Sequence, residues 1–169
     1  MPGPTVILGI DPGLVRTGYG AIEWQGVGKF RLREGGVIRT TSADPLAARV
    51  GLIYEQIVEL LEEFKPAALA IEQLYANYKH PRTAILMGHA RGAVLLAAWQ
   101  RDVRVIHLAA TTIKKHITGA GHASKQQVQR AVAAAFRLAN PPEPPDVADA
   151  LAVALCAAER MGRKMALPR

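Results

Sequence analysis

A chain of 169 residues, half of them apolar and 21% charged, is too apolar to stay unfolded and is expected to form one domain over 1–160, followed by a basic tail without fixed structure over 161–169. The net charge of +7 is uneven. Residues 73 to 142 carry ten Lys and Arg and all five histidines against one acid, Asp102, so that half suits a polyanion. One cysteine, Cys156, excludes an internal disulfide, and the absence of a signal-peptide pattern or a membrane-length apolar run points to a cytoplasmic protein without membrane contact.

In chain order, Val6-Ile7-Leu8-Gly9-Ile10 is the pattern of a buried strand, and it ends in an acid, Asp11. Residues 17–25 and about 29–40 read as two more strands, with Gly26-Val27-Gly28 as the tight turn, so an antiparallel meander is expected. Asp44 followed by Pro45 then opens a helix in which Leu46, Val50, Ile53, Ile57, Leu60 and Leu61 recur at helical spacing through Glu63. A second buried-strand run, Ala67 to Ile71, also ends in an acid, Glu72.

Beyond Glu72 the pattern alternates: a helix near 82–100, a strand over 103–108, a short helix near 110–117 and a break at Gly119-Ala120-Gly121. Alternation implies parallel crossovers onto one sheet. Ser124 with Gln127 fits a capping box for a helix to about 137. A proline-rich stretch, 140–145, separates it from a last helix that opens with Asp146 and Asp149 and packs through Ala148, Ala150, Leu151, Ala152 and Val153.

Isolated acids at such places are usually turn formers or helix caps, but here two separate strand patterns finish in one. If those strands pair in parallel, Asp11 and Glu72 emerge at the same carboxyl edge, where α/β sheets bind ligands. Asp146 and Asp149, three apart, share a helix face, and both are expected in the first turn, where the helix dipole favours negative charge. Two carboxylates about 4 Å apart repel by about 4 kcal/mol at an effective dielectric near 20. Oxygen-only donors favour Mg²⁺, with Mn²⁺ as substitute, and two such ions roughly 4 Å apart form a clamp for in-line phosphoryl displacement, leaving a 5′-phosphate and a 3′-hydroxyl. No nucleophile-elbow sequence is present and none is required.

Five segments in order, Gly9-Ile10-Asp11-Pro12-Gly13, Thr17-Gly18-Tyr19-Gly20, Ala70-Ile71-Glu72-Gln73, Gly88-His89-Ala90-Arg91-Gly92 and Asp146-Val147-Ala148-Asp149-Ala150-Leu151, resemble the RuvC-type Holliday junction resolvases over nearly the whole chain. The resemblance implies an α/β, RNase H-like fold with a mixed five-stranded sheet flanked by helices, and a homodimer. It also implies Mg²⁺-dependent, symmetrical nicking of four-way DNA junctions in recombination and repair. Asp11, Glu72, Asp146 and Asp149 then take the catalytic, metal-holding positions, with two Mg²⁺ per site. Tyr75 falls where that family places an aromatic that wedges against bases, and Lys114 and Lys125 match its lysines near the scissile phosphate. Lys115 extends the basic edge with His116, and Arg16 is a further candidate for DNA contact. The RuvA–RuvB branch-migration complex is the implied partner.

Other readings stay open. Asp11-Pro12-Gly13 with Thr17-Gly18 also resembles the phosphate hairpin of actin-like ATPases and sugar kinases, folds that need a second such domain. A non-catalytic junction-binding module, or a related nuclease acting on RNA or other branched DNA, would share the basic surface.

Overall fold

The computed structural model describes residues 4–74 and 80–166. Its elements are β1 (Thr5–Asp11), β2 (Arg16–Gly26), β3 (Lys29–Arg39), α1 (Leu46–Phe64), β4 (Ala68–Glu72), α2 (Pro81–Gln100), β5 (Val105–Leu108), α3 (Ala110–Thr118), α4 (Lys125–Ala135) and α5 (Pro145–Ala166). The strands lie in the order β3-β2-β1-β4-β5. The first three form the expected antiparallel meander, and β1–β4 and β4–β5 are parallel.

Period-two alternation along the central strands feeds two separate cores. Ile7, Ile22, Ala68 and Ala70 face α3, α4 and α5. Leu8, Ile10, Ala21, Leu69 and Ile71 face α1 and α2. Because both faces of β1 and β4 are covered, these strands read as unbroken apolar runs and not as alternating ones.

The α5 helix lies almost directly on the sheet. A Cβ at Gly9 would come 2.7 Å from the Ala154 nitrogen, and one at Gly18 would come 2.7 Å from the Asp146 carbonyl carbon. Only glycine permits that approach, which explains two of the motif glycines in physical terms. Among the described residues, no helix is long and apolar enough to cross a membrane.

Local expectations fare unevenly. The Ser124 capping box is present: its hydroxyl accepts from the Gln127 N–H at 3.2 Å, and its own N–H donates to Gln127 Oε1 at 2.7 Å. Asp44, in contrast, is not the cap of α1. That place belongs to Pro45, whose carbonyl accepts from the Arg49 N–H at 3.2 Å, while the Asp44 N–H is held in a turn by the Thr41 carbonyl. The strand expected from 103 starts at Val105, because the Val103 N–H closes the end of α2 on the Ala98 carbonyl. Helix α5 also runs on to Ala166, well into the expected tail: Met161 packs against the core, and Gly162 leaves room for the Trp24 ring.

Candidate active site

The β1–β4 register, which pairs Ile10 with Ile71, brings Asp11 and Glu72 out side by side at the carboxyl edge of the sheet. Past Asp11 the chain must turn away, and buried Thr17 holds that turn. Its hydroxyl donates to the Gly13 carbonyl at 2.7 Å and accepts from the Gly13 N–H at 3.4 Å. Asp11 pairs across the sheet with Gly18, and the Asp146 backbone of α5 rests on that glycine. Asp149 follows one turn further along α5, so only Asp146 stands in the first turn, contrary to expectation. A helix beginning at Pro145 places its fifth residue beyond the free N–H groups, and Asp149 takes its counter-charge from a side chain instead.

Asp11, Glu72 and Asp149 line one cleft of about 230 Å³, together with Lys114 of α3 and Lys125 of α4, against an apolar wall that includes Ile113, Val128 and Val153. Asp146 stands beside this cleft, near enough to act electrostatically on Asp11.

The family model described as crossover junction endodeoxyribonuclease RuvC matches residues 7–157. The chain belongs to the RuvC family. A crossover junction endodeoxyribonuclease RuvC of Rhodopirellula baltica is 47% identical over 150 residues, covering 89% of this chain and 84% of that protein. One of Pelotomaculum thermopropionicum is 42% identical, covering 89% and 91%. A solved structure described as T. thermophilus RuvC in complex with Holliday junction substrate superposes with a TM-score of 0.89 at 36% identity, over 98% of this chain and 99% of that one. The yeast mitochondrial Holliday junction resolvase Ydc2, at 14% identity and a TM-score of 0.63, shares the fold alone. The RuvC relatives are hydrolytic nucleases by name, and the RNase H-like mixed sheet flanked by five helices is their architecture.

In this member of the RuvC family, charge at the cleft is out of balance. Asp11 is pushed up from 3.8 to about 7, first by burial and then by Asp149, Glu72 and Asp146, with Lys125 opposing. Burial, and then Asp149, also raise Glu72, against the pull of Lys114. Lys125 lies 3.0 Å from Asp149 and is itself raised by that bond, while Arg16 lies 3.5 Å from Asp146. Both bases are more than half exposed, at 60% and 51%. Among the described residues, neither the Asp11 nor the Glu72 carboxylate has a hydrogen bond or an ion pair.

Among the described residues, no three His, Cys, Asp or Glu side chains sit as one ready-made metal cage. Two of the four acids are instead engaged by bases, Asp149 by Lys125 and Asp146 by Arg16. The donor set nonetheless fits a hard divalent cation. All donors are carboxylate oxygens, two of the four have no ion-pair partner among the described residues, and the two bound bases sit on exposed, exchangeable side chains.

The residues expected to grip DNA divide. Lys114 and Lys125 stand at the cleft. Lys115 is turned away from that cleft and lines a second one with His116, Glu159 and Arg160, and His116 lies 3.1 Å from Glu159. Arg16 is the partner of Asp146. Tyr75 lies outside the described residues. The sequence points to no structural role for Thr17 beyond the phosphate-hairpin resemblance, and to none for Arg91, whose Nε donates to the Glu72 carbonyl at 3.2 Å. Both sit inside the matched motifs, which was the available signal.

Proposed function

We propose that this chain resolves four-way DNA junctions, nicking two opposing strands symmetrically and leaving 5′-phosphate and 3′-hydroxyl ends, with Asp11, Glu72, Asp146 and Asp149 as its catalytic residues. The observation that carries the reading is the convergence of three of these acids on one lysine-walled cleft, with the fourth at its side. Bound there, Mg²⁺, at two ions per site and replaceable by Mn²⁺, supplies the charge that activates water and neutralises a leaving oxygen. The chain's own groups do the rest. Lys114 and Lys125 hold the phosphate against the cleft, the apolar wall limits stray water, and the buried β1 and β4 ends keep Asp11 and Glu72 aimed at one point. Lys115 and Arg16 extend the backbone contact, and Tyr75 stacks on a base near the crossover.

A homodimer, one site per opposing strand, is part of this reading. Ile85, Gly88, Gly92, Leu96 and Trp99 recur at spacings of three and four and form one stripe along α2. Trp99 is 77% and Ile85 62% exposed, and a Cβ at either glycine would meet open space. Among the described residues no packing inside the chain calls for small residues there, whereas a second helix laid along the stripe would. Coupling to the RuvA–RuvB complex and a cytoplasmic location rest on family membership.

The test is cleavage of a synthetic four-way junction, a plain duplex, a splayed duplex and an RNA–DNA hybrid side by side, each with and without Mg²⁺. Paired nicks confined to the junction are expected. Equal cutting of the hybrid would move the assignment to a general RNase H-like nuclease, and binding with no cutting would leave only a junction-binding module.

A further inference from the structure

Resting on that assignment of Glu72, we infer that Arg91 is a positioning residue for the active site: from α2 it caps the end of β4 and fixes the peptide from which Glu72 projects. The β1–β4 pairing stops at Ile10 and Ile71, and β1 then enters Pro12, which has no N–H to donate. The Glu72 carbonyl thus lies past the last rung of that ladder, partly buried and without a backbone donor from β1. Arg91 Nε supplies the missing donor at 3.2 Å. Its Nη2 donates to Nδ1 of His107 on β5, so one planar guanidinium ties α2, β4 and β5 together at the edge where the acids emerge.

An arginine is an expensive choice for a purely structural bond. Arg91 is half-buried, its pKa is lowered by burial, and among the described residues no carboxylate lies within ion-pair distance of it. A rigid fork serves a purpose that lysine serves less well, because it holds two acceptors on different strands in a fixed relative orientation. On the far side of Glu72 the sheet is already secured by the Gln73 N–H to the Leu108 carbonyl at 2.8 Å. Arg91 and that bond clamp the Glu72 peptide from two directions, leaving only side-chain torsions free.

The test compares Arg91→Ala, Arg91→Lys and His107→Phe with the wild-type protein. In single-turnover nicking at saturating junction and Mg²⁺, Arg91→Ala should be slower by about 100-fold, the scale for a reacting group displaced by roughly 1 Å. Arg91→Lys should recover about tenfold of that loss, and His107→Phe should lose less than Arg91→Ala. Junction affinity in EDTA should stay within about twofold of wild type for all three, since none faces the phosphate. In the metal-free protein, amide hydrogen exchange should quicken at Gln73 in Arg91→Ala while Leu69 keeps its protection. A wild-type nicking rate in a folded Arg91→Ala protein, or unchanged exchange at Gln73, overturns the inference. Glu72→Gln runs alongside: if it nicks normally, the assignment of Glu72 has failed, whereas an inactive Glu72→Gln beside a fully active Arg91→Ala removes only the role of Arg91.

Discussion

Replacing Asp11 by asparagine should make the metal-free protein more stable even as it abolishes nicking. Asp11 titrates near 7 in the fold against an ordinary 3.8, because of burial first and then the charges of Asp149, Glu72 and Asp146. A carboxyl raised in this way binds its proton more tightly folded than unfolded, so ionising it works against folding. The penalty is absent below the unfolded pKa near 4, grows as pH climbs toward 7, and is constant above. About three pKa units at about 1.4 kcal/mol each set an upper limit of about 4 kcal/mol. Water entering an open cleft should reduce that to about 2 kcal/mol, or roughly 4–8 °C in a domain of this size. Glu72, also raised, acts in the same direction, while Lys125, raised from 10.5, stays charged throughout this range.

The assay is thermal unfolding of wild type and Asp11→Asn in EDTA at pH 8 and again near pH 4.5. Asparagine should raise the midpoint at pH 8, with the gap narrowing in acid. Adding Mg²⁺ at pH 8 should then lift the wild type more than the variant, since only the wild type has its full ligand set to gain by binding. A variant equal to or below wild type at pH 8 in EDTA would show that the four carboxylates are not electrostatically coupled, and the grouping on which the site rests would fall.

Lys125→Met should weaken junction binding and make its salt dependence shallower by about one ion, as titration of affinity against salt will show. Gly18→Ala places a methyl against the Asp146 backbone and should cost about 1–3 kcal/mol in denaturant unfolding while slowing nicking. Ala154→Val, buried and five residues beyond Asp149, presses on Gly9 and should lower the single-turnover rate with junction affinity unchanged. Trp99→Asp should shift the protein toward monomer in sedimentation while leaving its thermal midpoint within a few degrees, because Trp99 is exposed within the chain.

How much of this could be read from sequence follows from the range of the interactions concerned. Strand ends at Asp11 and Glu72 were legible because both faces of β1 and β4 are covered, which writes an unbroken apolar run that stops where burial stops. The Ser124 box was legible because both its bonds are local. Asp44 misled because the residue after it, a proline, supplies its own carbonyl to the helix. Near its end α5 packs Gly162 against Trp24, more than a hundred positions away, and no local pattern carries that. Arg91 and Glu72 are 19 residues apart on different elements, so their bond appears only once the topology is built. Lys115 was grouped with Lys114 by adjacency, yet neighbours on a helix point about 100° apart, and the two flank α3 on different sides.

The site divides its labour between backbone and side chain. The acids stand on parts that cannot shift independently: two strand ends in register, and a helix separated from those strands only by the glycines Gly9 and Gly18. At Gly9 and Gly18 no side chain of the strand stands between helix and sheet, so the backbone of α5 near Asp146 and Asp149 rests directly on β1 and β2. The bases Lys125 and Arg16, by contrast, hold their acids from exposed positions, on side chains with many torsions. On the proposed function, Lys125 and Arg16 are the countercharge on Asp149 and Asp146 before substrate or metal arrives, and a divalent cation taken up by those acids would free both bases for another partner. The same proposal would make a phosphate backbone at the cleft mouth the new partner of a released Lys125, linking metal entry to DNA grip through one exchange of ion pairs.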